Sequence, residues 1–255
     1  MSEYCTMSDP KNRILIIGHR GASSDSPENT LKAFQKAIEY KANYIEFDLF
    51  KSKDGVLVVT HDPELSRLTG HSGFVEDLTL EELKTLDFGE GEKIPTLEDV
   101  IYLTKGKIGL CVEVISTNIG KKLVQLLRES DLVENTIISS FNFKELKKIQ
   151  KLEPNFKFAS LIPYNVRVVN NPKWTKWKTK KKAIDRAAKN NFSFIHPHYV
   201  IVDKQLIDYS HHQNLKVNVY TVDVKPVIKR LINKGIDGIM TNDIIAAKEV
   251  INKIK

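Results

Sequence analysis

Eight short runs of strand-forming residues, each followed by a segment with helical periodicity, decide what this chain can fold into. In order they are RILIIGH (13–19), NYIEFDLF (43–50), KIGLCVEV (107–114), NTIISSF (135–141), FKFASLI (156–162), FSFIHP (192–197), LKVNVYTV (215–222) and GIDGIMTN (235–242). Several are almost continuously apolar, the pattern of parallel strands covered on both faces. Helices are expected after Pro27-Glu28-Asn29-Thr30, after Thr96, and over 119–130, 143–152, 179–190, 203–213, 224–234 and 243–254. Thr96-Leu97-Glu98-Asp99 has the spacing of a capping box. Strands and helices alternating eight times predict an α/β fold, a (β/α)8 TIM barrel, with a doubly wound sheet as the alternative.

A chain of 255 residues suits one such domain over 1–255. Residues 51–95 are longer than a single crossover needs. They contain a hairpin, KSKDGVLVVTHD, and then a polar excursion over about 62–95. The excursion reads as a small insertion after the second strand, above the barrel mouth.

Two cysteines, Cys5 in a polar tail and Cys111 in an apolar run, suggest neither a disulfide framework nor a zinc site. The N-terminus lacks the apolar core of a signal peptide, and no apolar run reaches membrane-spanning length, so a cytoplasmic protein is expected. The net charge of +7 comes from abundant lysine and reads first as solvated surface rather than as a binding signal.

The chemistry lies at the strand ends. Side chains alternate faces along a strand, so Glu46 and Asp48 of NYIEFDLF project together while Ile45, Phe47 and Leu49 project the other way. Two carboxylates on one face of an apolar strand need a positive partner, either a neighbouring Lys or Arg or a metal. Their place at the C-terminal end, where barrel active sites lie, favours metal. Asp54-Gly55 is a strong two-residue turn signal, and a type I′ turn there places His61 opposite Asp48. His19-Arg20-Gly21-Ala22 ends the first strand with groups suited to an anion, and Glu113 ends the run GLCV. Three carboxylates without a ligating thiol suit one hard divalent cation, Mg²⁺ or Ca²⁺. With Arg20 to balance charge on phosphorus and two histidines to accept and donate protons, the set describes phosphodiester cleavage. The chain has no P-loop or dinucleotide glycine pattern.

His19-Arg20-Gly21-Ala22, Pro27-Glu28-Asn29-Thr30, Glu46-x-Asp48 and Lys53-Asp54-Gly55 through His61-Asp62 closely resemble the glycerophosphodiester phosphodiesterase family. So do Glu113-Val114, Ser139-Ser140-Phe141, Tyr220-Thr221-Val222 and Gly235 through Thr241. The resemblance implies a TIM barrel that hydrolyses small-molecule glycerophosphodiesters to an alcohol and glycerol 3-phosphate. It implies His19 and His61 as the acid/base pair and Glu46, Asp48 and Glu113 as metal ligands. Arg20 would hold the phosphate, Tyr220 would line the substrate site, and the substrate's own 2-hydroxyl would attack first.

The chain departs from the family pattern twice. A Glu-x-Lys is usual at the third carboxylate, but the second residue after Glu113 is Ile115, which forgoes a charge-assisted contact of ~1.5–3 kcal/mol. Trp-Thr-Val-Asn is replaced by Tyr220-Thr221-Val222-Asp223, which adds a negative charge near an anionic substrate. Two other readings compete with the leading one. One is a lysophospholipase D-type hydrolase, favoured by Ile115 and by the run from Lys173 to Lys182, whose Trp174 and Trp177 suit transient contact with a phospholipid surface. The other is a catalytically weakened phosphodiester-binding protein. The same run also reads as a solvated loop with its tryptophans packed on the barrel rim, and no recognised nucleic-acid module is present.

Overall fold

In the computed structural model, which describes residues 14–163 and 176–254, the apolar runs become parallel strands that close on themselves. In chain order the strands are β1 (Leu15–His19), β2 (Tyr44–Lys51), β3 (Leu57–Val59), β4 (Gly109–Val114), β5 (Thr136–Ser140), β6 (Lys157–Ile162), β7 (Phe194–Pro197), β8 (Lys216–Val219) and β9 (Gly238–Thr241). The sheet runs β1-β9-β8-β7-β6-β5-β4-β2, and a further β1–β2 pairing completes the ring. Every barrel pairing is parallel; β3 alone is antiparallel and extends the outer half of β2. The fold is therefore a (β/α)8 barrel.

The principal outer helices are α1 (Leu31–Glu39), α4 (Leu97–Thr104), α5 (Gly120–Glu129), α6 (Phe143–Leu152), α7 (Trp177–Lys189), α8 (Lys204–His212), α9 (Lys225–Lys234) and α10 (Ile244–Ile254). Thr30 caps α1 by accepting from the Ala33 N–H. At α4 both halves of the expected box form: the Asp99 N–H donates to Thr96 Oγ1 and the Thr96 N–H to Asp99 Oδ2, each at 3.0 Å. Such a cap stabilises a helix start by about 1 kcal/mol. No helix among the described residues is long and apolar enough to cross a membrane.

Strand alternation divides the barrel into two cores. Ile45, Phe47 and Leu49 join the large core between strands and helices, whereas Ile17, Cys111, Ile137, Ala159, Phe194 and Met240 fill the barrel interior. That interior parity continues upward. His19 is two residues beyond Ile17 and Glu113 is two beyond Cys111, so both rise from the same face as the plug beneath them.

The β2–β3 hairpin differs from its expected form. The Ser52 N–H donates to Val56 O at 2.9 Å and the Gly55 N–H to Ser52 O at 3.0 Å, with Gly55 at φ +80°. This is a three-residue connection with a left-handed residue at its end, in place of a two-residue type I′ turn. The register moves by one as a result. Leu49 pairs with Val59, and the Thr60 N–H donates to Asp48 O, so Thr60 lies opposite Asp48 and His61 follows it.

Residues 62–95 carry two short helices, α2 (Ser66–Thr69) and α3 (Leu80–Thr85). Their apolar residues Leu65, Val75, Leu83, Phe88 and Ile94 pack against Phe50 and Val58 of the hairpin as a small core of their own. This separate core holds the segment beside the C-terminal ends of the strands.

Candidate active site

Strand register assembles the carboxylates. His19 on β1 is the register partner of Glu46 on β2, and Asp48 on β2 is the partner of Glu113 on β4. One oxygen from each of Glu46, Asp48 and Glu113 lies within 4.8 Å of the others. Glu46 and Asp48 are only 3% and 2% exposed, so little water screens their mutual repulsion. Burial above all pushes Glu46 up to about 7. Burial and then the neighbouring Glu46 push Asp48 up to about 6. Glu113 is raised well above the ordinary range by burial and then by Asp48 and Glu46.

Arg20 supplies the positive charge closest to this group. Its backbone N–H donates to Glu46 Oε2 at 3.0 Å, and its Nε lies 3.5 Å from Asp48 Oδ2. The chain reaches this geometry by leaving β1 through two left-handed residues, Arg20 at φ +55° and Gly21 at φ +86°. Gly21 is required there, because a Cβ would sit 2.7 Å from the Ala33 backbone. Asn29, also left-handed, donates from Nδ2 to Asp48 Oδ2 at 3.0 Å. One guanidinium facing three carboxylates leaves an excess of negative charge. Oxygen-only donors in that electrostatic state fit a hard divalent cation, whose binding would favour the ionised forms of all three acids.

Each histidine is held by its Nδ1. His19 Nδ1 is 2.8 Å from Asn242 Oδ1, and Asn242 Nδ2 donates to Asp223 Oδ2 at 2.7 Å. Burial, followed by the adjacent Arg20, draws His19 below its ordinary pKa against the opposing Asn242 bond. His61 Nδ1 is 2.7 Å from Asp62 Oδ1. Although the hairpin register places Thr60 opposite Asp48, the chain leaves the strand after Val59, and His61 remains close enough that its charge acts on Asp48.

Arg67, on α2, is a site neighbour with no local signal in the sequence. It forms an ion pair with Asp62 and donates to Glu28 Oε1 at 2.6 Å; Glu28 Oε1 also accepts from Arg20 Nη1 at 2.9 Å. Arg67 thereby ties the support of His61 to the support of Arg20. These two arginines hold Glu28 below the usual carboxylate range despite its burial.

A model of the glycerophosphoryl diester phosphodiesterase family matches residues 19–246, nearly the whole span between the first site residue and the last helix. The chain belongs to that family. It is 37% identical over 244 residues to a glycerophosphodiester phosphodiesterase of Caldanaerobacter subterraneus subsp. tengcongensis, covering 91% of this chain and 95% of that relative. An Oleispira antarctica phosphodiesterase, solved in complex with the product sn-glycerol-3-phosphate, superposes with a TM-score of 0.82 at 25% identity, covering 93% of this chain and 96% of that one. A Silicibacter pomeroyi structure, described as a glycerophosphoryl diester phosphodiesterase, matches in fold with a TM-score of 0.86 at 22% identity over 96% of this chain and 95% of that one.

Both departures from the family pattern have a definite setting. Ile115 follows the end of β4 and is 36% exposed, and Phe141, just past β5, is 49% exposed. Tyr220 stands edge-on to Phe141 with ring centroids 6.4 Å apart. Its hydroxyl donates to Ile162 O at 3.3 Å, and burial, then Glu113, raises its pKa. The Tyr220 ring also stands edge-on to His198, with centroids 5.6 Å apart. Asp223 is the partner of Asn242 already described. Trp177 packs edge-on against Tyr209 at 5.3 Å on the helical face, and Trp174 lies outside the described residues.

Proposed function

We propose that this phosphoric diester hydrolase cleaves glycerophosphodiesters to an alcohol and glycerol 3-phosphate, with His19 and His61 as its acid/base pair. The observation that carries the reading is that two histidines, each engaged at Nδ1, flank a converged set of three carboxylates. Engagement at Nδ1 leaves each Nε2 as the nitrogen that can exchange a proton with substrate.

Glu46, Asp48 and Glu113 would hold one divalent cation, Mg²⁺ or Ca²⁺, which when bound supplies electrostatic stabilisation of the phosphoryl oxygens. Arg20 binds the phosphate and adds charge that needs no rearrangement during reaction. In the first step one histidine takes the proton of the glycerol 2-hydroxyl as that oxygen bonds to phosphorus. The phosphorus–oxygen bond to the alcohol breaks, and the second histidine protonates the departing oxygen. Water then opens the cyclic phosphate with the proton roles reversed, giving glycerol 3-phosphate. The buried, unpaired Cys111 agrees with a cytoplasmic, reducing setting, which we also propose.

The test is release of glycerol 3-phosphate from a soluble glycerophosphodiester, with and without EDTA, by the unaltered protein and by His19→Ala. Release that persists in EDTA, or in His19→Ala, would overturn the scheme. A second reading, a lysophospholipase D-type activity, is favoured by the apolar rim of Ile115 and Phe141. Comparing a lysophospholipid with the soluble diester separates the two.

A further inference from the structure

We propose that Asp223 is a positioning residue: it fixes which way the Asn242 amide faces and, through that amide, which nitrogen of His19 carries the proton. The proposal rests on His19 being one of the two acid/base groups.

The argument is one of donors and acceptors. Asp223 Oδ1 accepts from Thr241 Oγ1 at 2.9 Å and from the Asn242 backbone N–H at 2.8 Å, which pins the carboxylate beside β9. Its other oxygen lies 2.7 Å from the Asn242 side-chain amide. A carboxylate accepts and does not donate, so the amide must turn its NH₂ toward Asp223. The Asn242 carbonyl oxygen then faces the opposite way. There it lies 2.8 Å from His19 Nδ1 and 2.7 Å from Ser23 Oγ, whose hydroxyl can donate to it. An amide oxygen accepts, so Nδ1 carries hydrogen and Nε2 presents a lone pair. Turning the amide over would set two oxygens against each other on the Asp223 side.

The identity of residue 223 matters because an amide there has no such preference. In Asp223→Asn the new side chain keeps its place by accepting from Thr241 and from the Asn242 N–H. That arrangement directs its NH₂ at the NH₂ of Asn242. The conflict is relieved when Asn242 turns over and presents NH₂ to His19 Nδ1, which moves the proton of the neutral imidazole to Nε2. Adding Asn242→Asp resolves the conflict differently. The carboxylate at 242 accepts from residue 223, from Ser23 and from His19 Nδ1 together, and the Nδ1–H form returns.

Three variants and two measurements test this. Asp223→Asn should lower kcat on a soluble glycerophosphodiester about 10- to 100-fold with KM within about twofold, since loss of the orienting partner of a catalytic histidine acts on the chemical step. Asp223→Asn/Asn242→Asp should recover most of that loss, whereas Asn242→Asp alone, which sets two carboxylates face to face, should not be active at the unaltered level. Imidazole nitrogen NMR should find His19 protonated at Nδ1 in the unaltered protein and in the double variant, and at Nε2 in Asp223→Asn. Unchanged kcat and unchanged Nδ1–H in Asp223→Asn would overturn the proposal, as would a double variant no better than the single. The NMR outcome reads the device even if His19→Ala retained activity, so a failure of the acid/base assignment remains distinguishable.

Discussion

Asp48 and Glu113 are register partners on adjacent parallel strands, which brings a buried and a half-buried carboxylate side by side, with Glu46 two residues back on the same face of β2. Their raised pKa values make metal-free stability depend on pH. A raised carboxylate binds its proton more tightly folded than unfolded, so between the ordinary carboxylate range and about pH 7 the folded state holds more protons. The cluster's contribution to stability then falls as pH rises through that interval. In EDTA, removing the cluster's titration with Glu46→Gln/Asp48→Asn should shift the balance of melting temperatures toward the higher pH, because the lowered His19 and His196 are then less opposed between about pH 5.5 and about pH 8. Excess Mg²⁺ or Ca²⁺ should raise the melting temperature of the unaltered protein at the higher pH. A pH dependence unchanged by Glu46→Gln/Asp48→Asn would contradict this electrostatic account.

Arg67 should matter more to turnover than to folding. Its side chain is 49% exposed, so its ion pairs contribute at most about 1 kcal/mol to stability. Its two partners, however, support His61 and Arg20. Arg67→Ala should therefore lower kcat about tenfold while shifting the melting temperature by only a few degrees. Steady-state kinetics and thermal melting of the same preparation check both halves.

How much of this was legible beforehand depended on range along the chain. The barrel strands could be read because each is a buried apolar run, and α4 because Thr96 and Asp99 carry their own local signal. Alternation alone put Glu46 and Asp48 together. The hairpin register differs from the expected one because Asp54-Gly55 identifies a turn but not its length. The extra residue is stabilised by Ser52, which bonds to both Asp54 and Val56, and this detail moves His61 out of line with Asp48. Closure by β1–β2 pairing has no local signature. Neither does the His19–Asn242 contact between residues at opposite ends of the chain, nor the bridge from Arg67 to Glu28. Asp223 stood out only as a departure from pattern, and its purpose required the neighbouring strand.

Ile115 should govern the balance between soluble and lipid-bearing substrates. A lysine at this position would add a charge-assisted contact to phosphate of about 1.5–3 kcal/mol, roughly a 10- to 100-fold effect. Ile115→Lys should raise kcat/KM on a soluble glycerophosphodiester and lower it on a lysophospholipid, which loses an exposed apolar side chain past the end of β4. Parallel assays on the two substrates check this, and an equal change on both would remove Ile115 as a selector.

Gly21→Ala should be among the most damaging single-methyl substitutions in the chain. At φ +86° an alanine carries backbone strain of about 1–2 kcal/mol. Its Cβ would also meet the Ala33 carbonyl carbon at 2.7 Å and the Ala33 Cβ at 2.8 Å, with α1 held in place by the barrel behind it. Relief requires Arg20 to swing, which breaks the backbone bond to Glu46 and moves the guanidinium from Asp48. We expect a loss of roughly 2–4 kcal/mol in unfolding free energy, in the range of overpacked cores combined with strained backbone. Divalent affinity should weaken as well, because Glu46 loses the donor that orients it. Gly55→Ala is the control: φ there is also left-handed, at +80°, but a Cβ meets nothing within 4 Å. It should cost about 1–2 kcal/mol from strain alone and leave metal affinity unchanged. Denaturant unfolding and metal titration of both variants check the contrast, and equal losses in the two would show that strain, rather than the Ala33 contact, sets the requirement at Gly21.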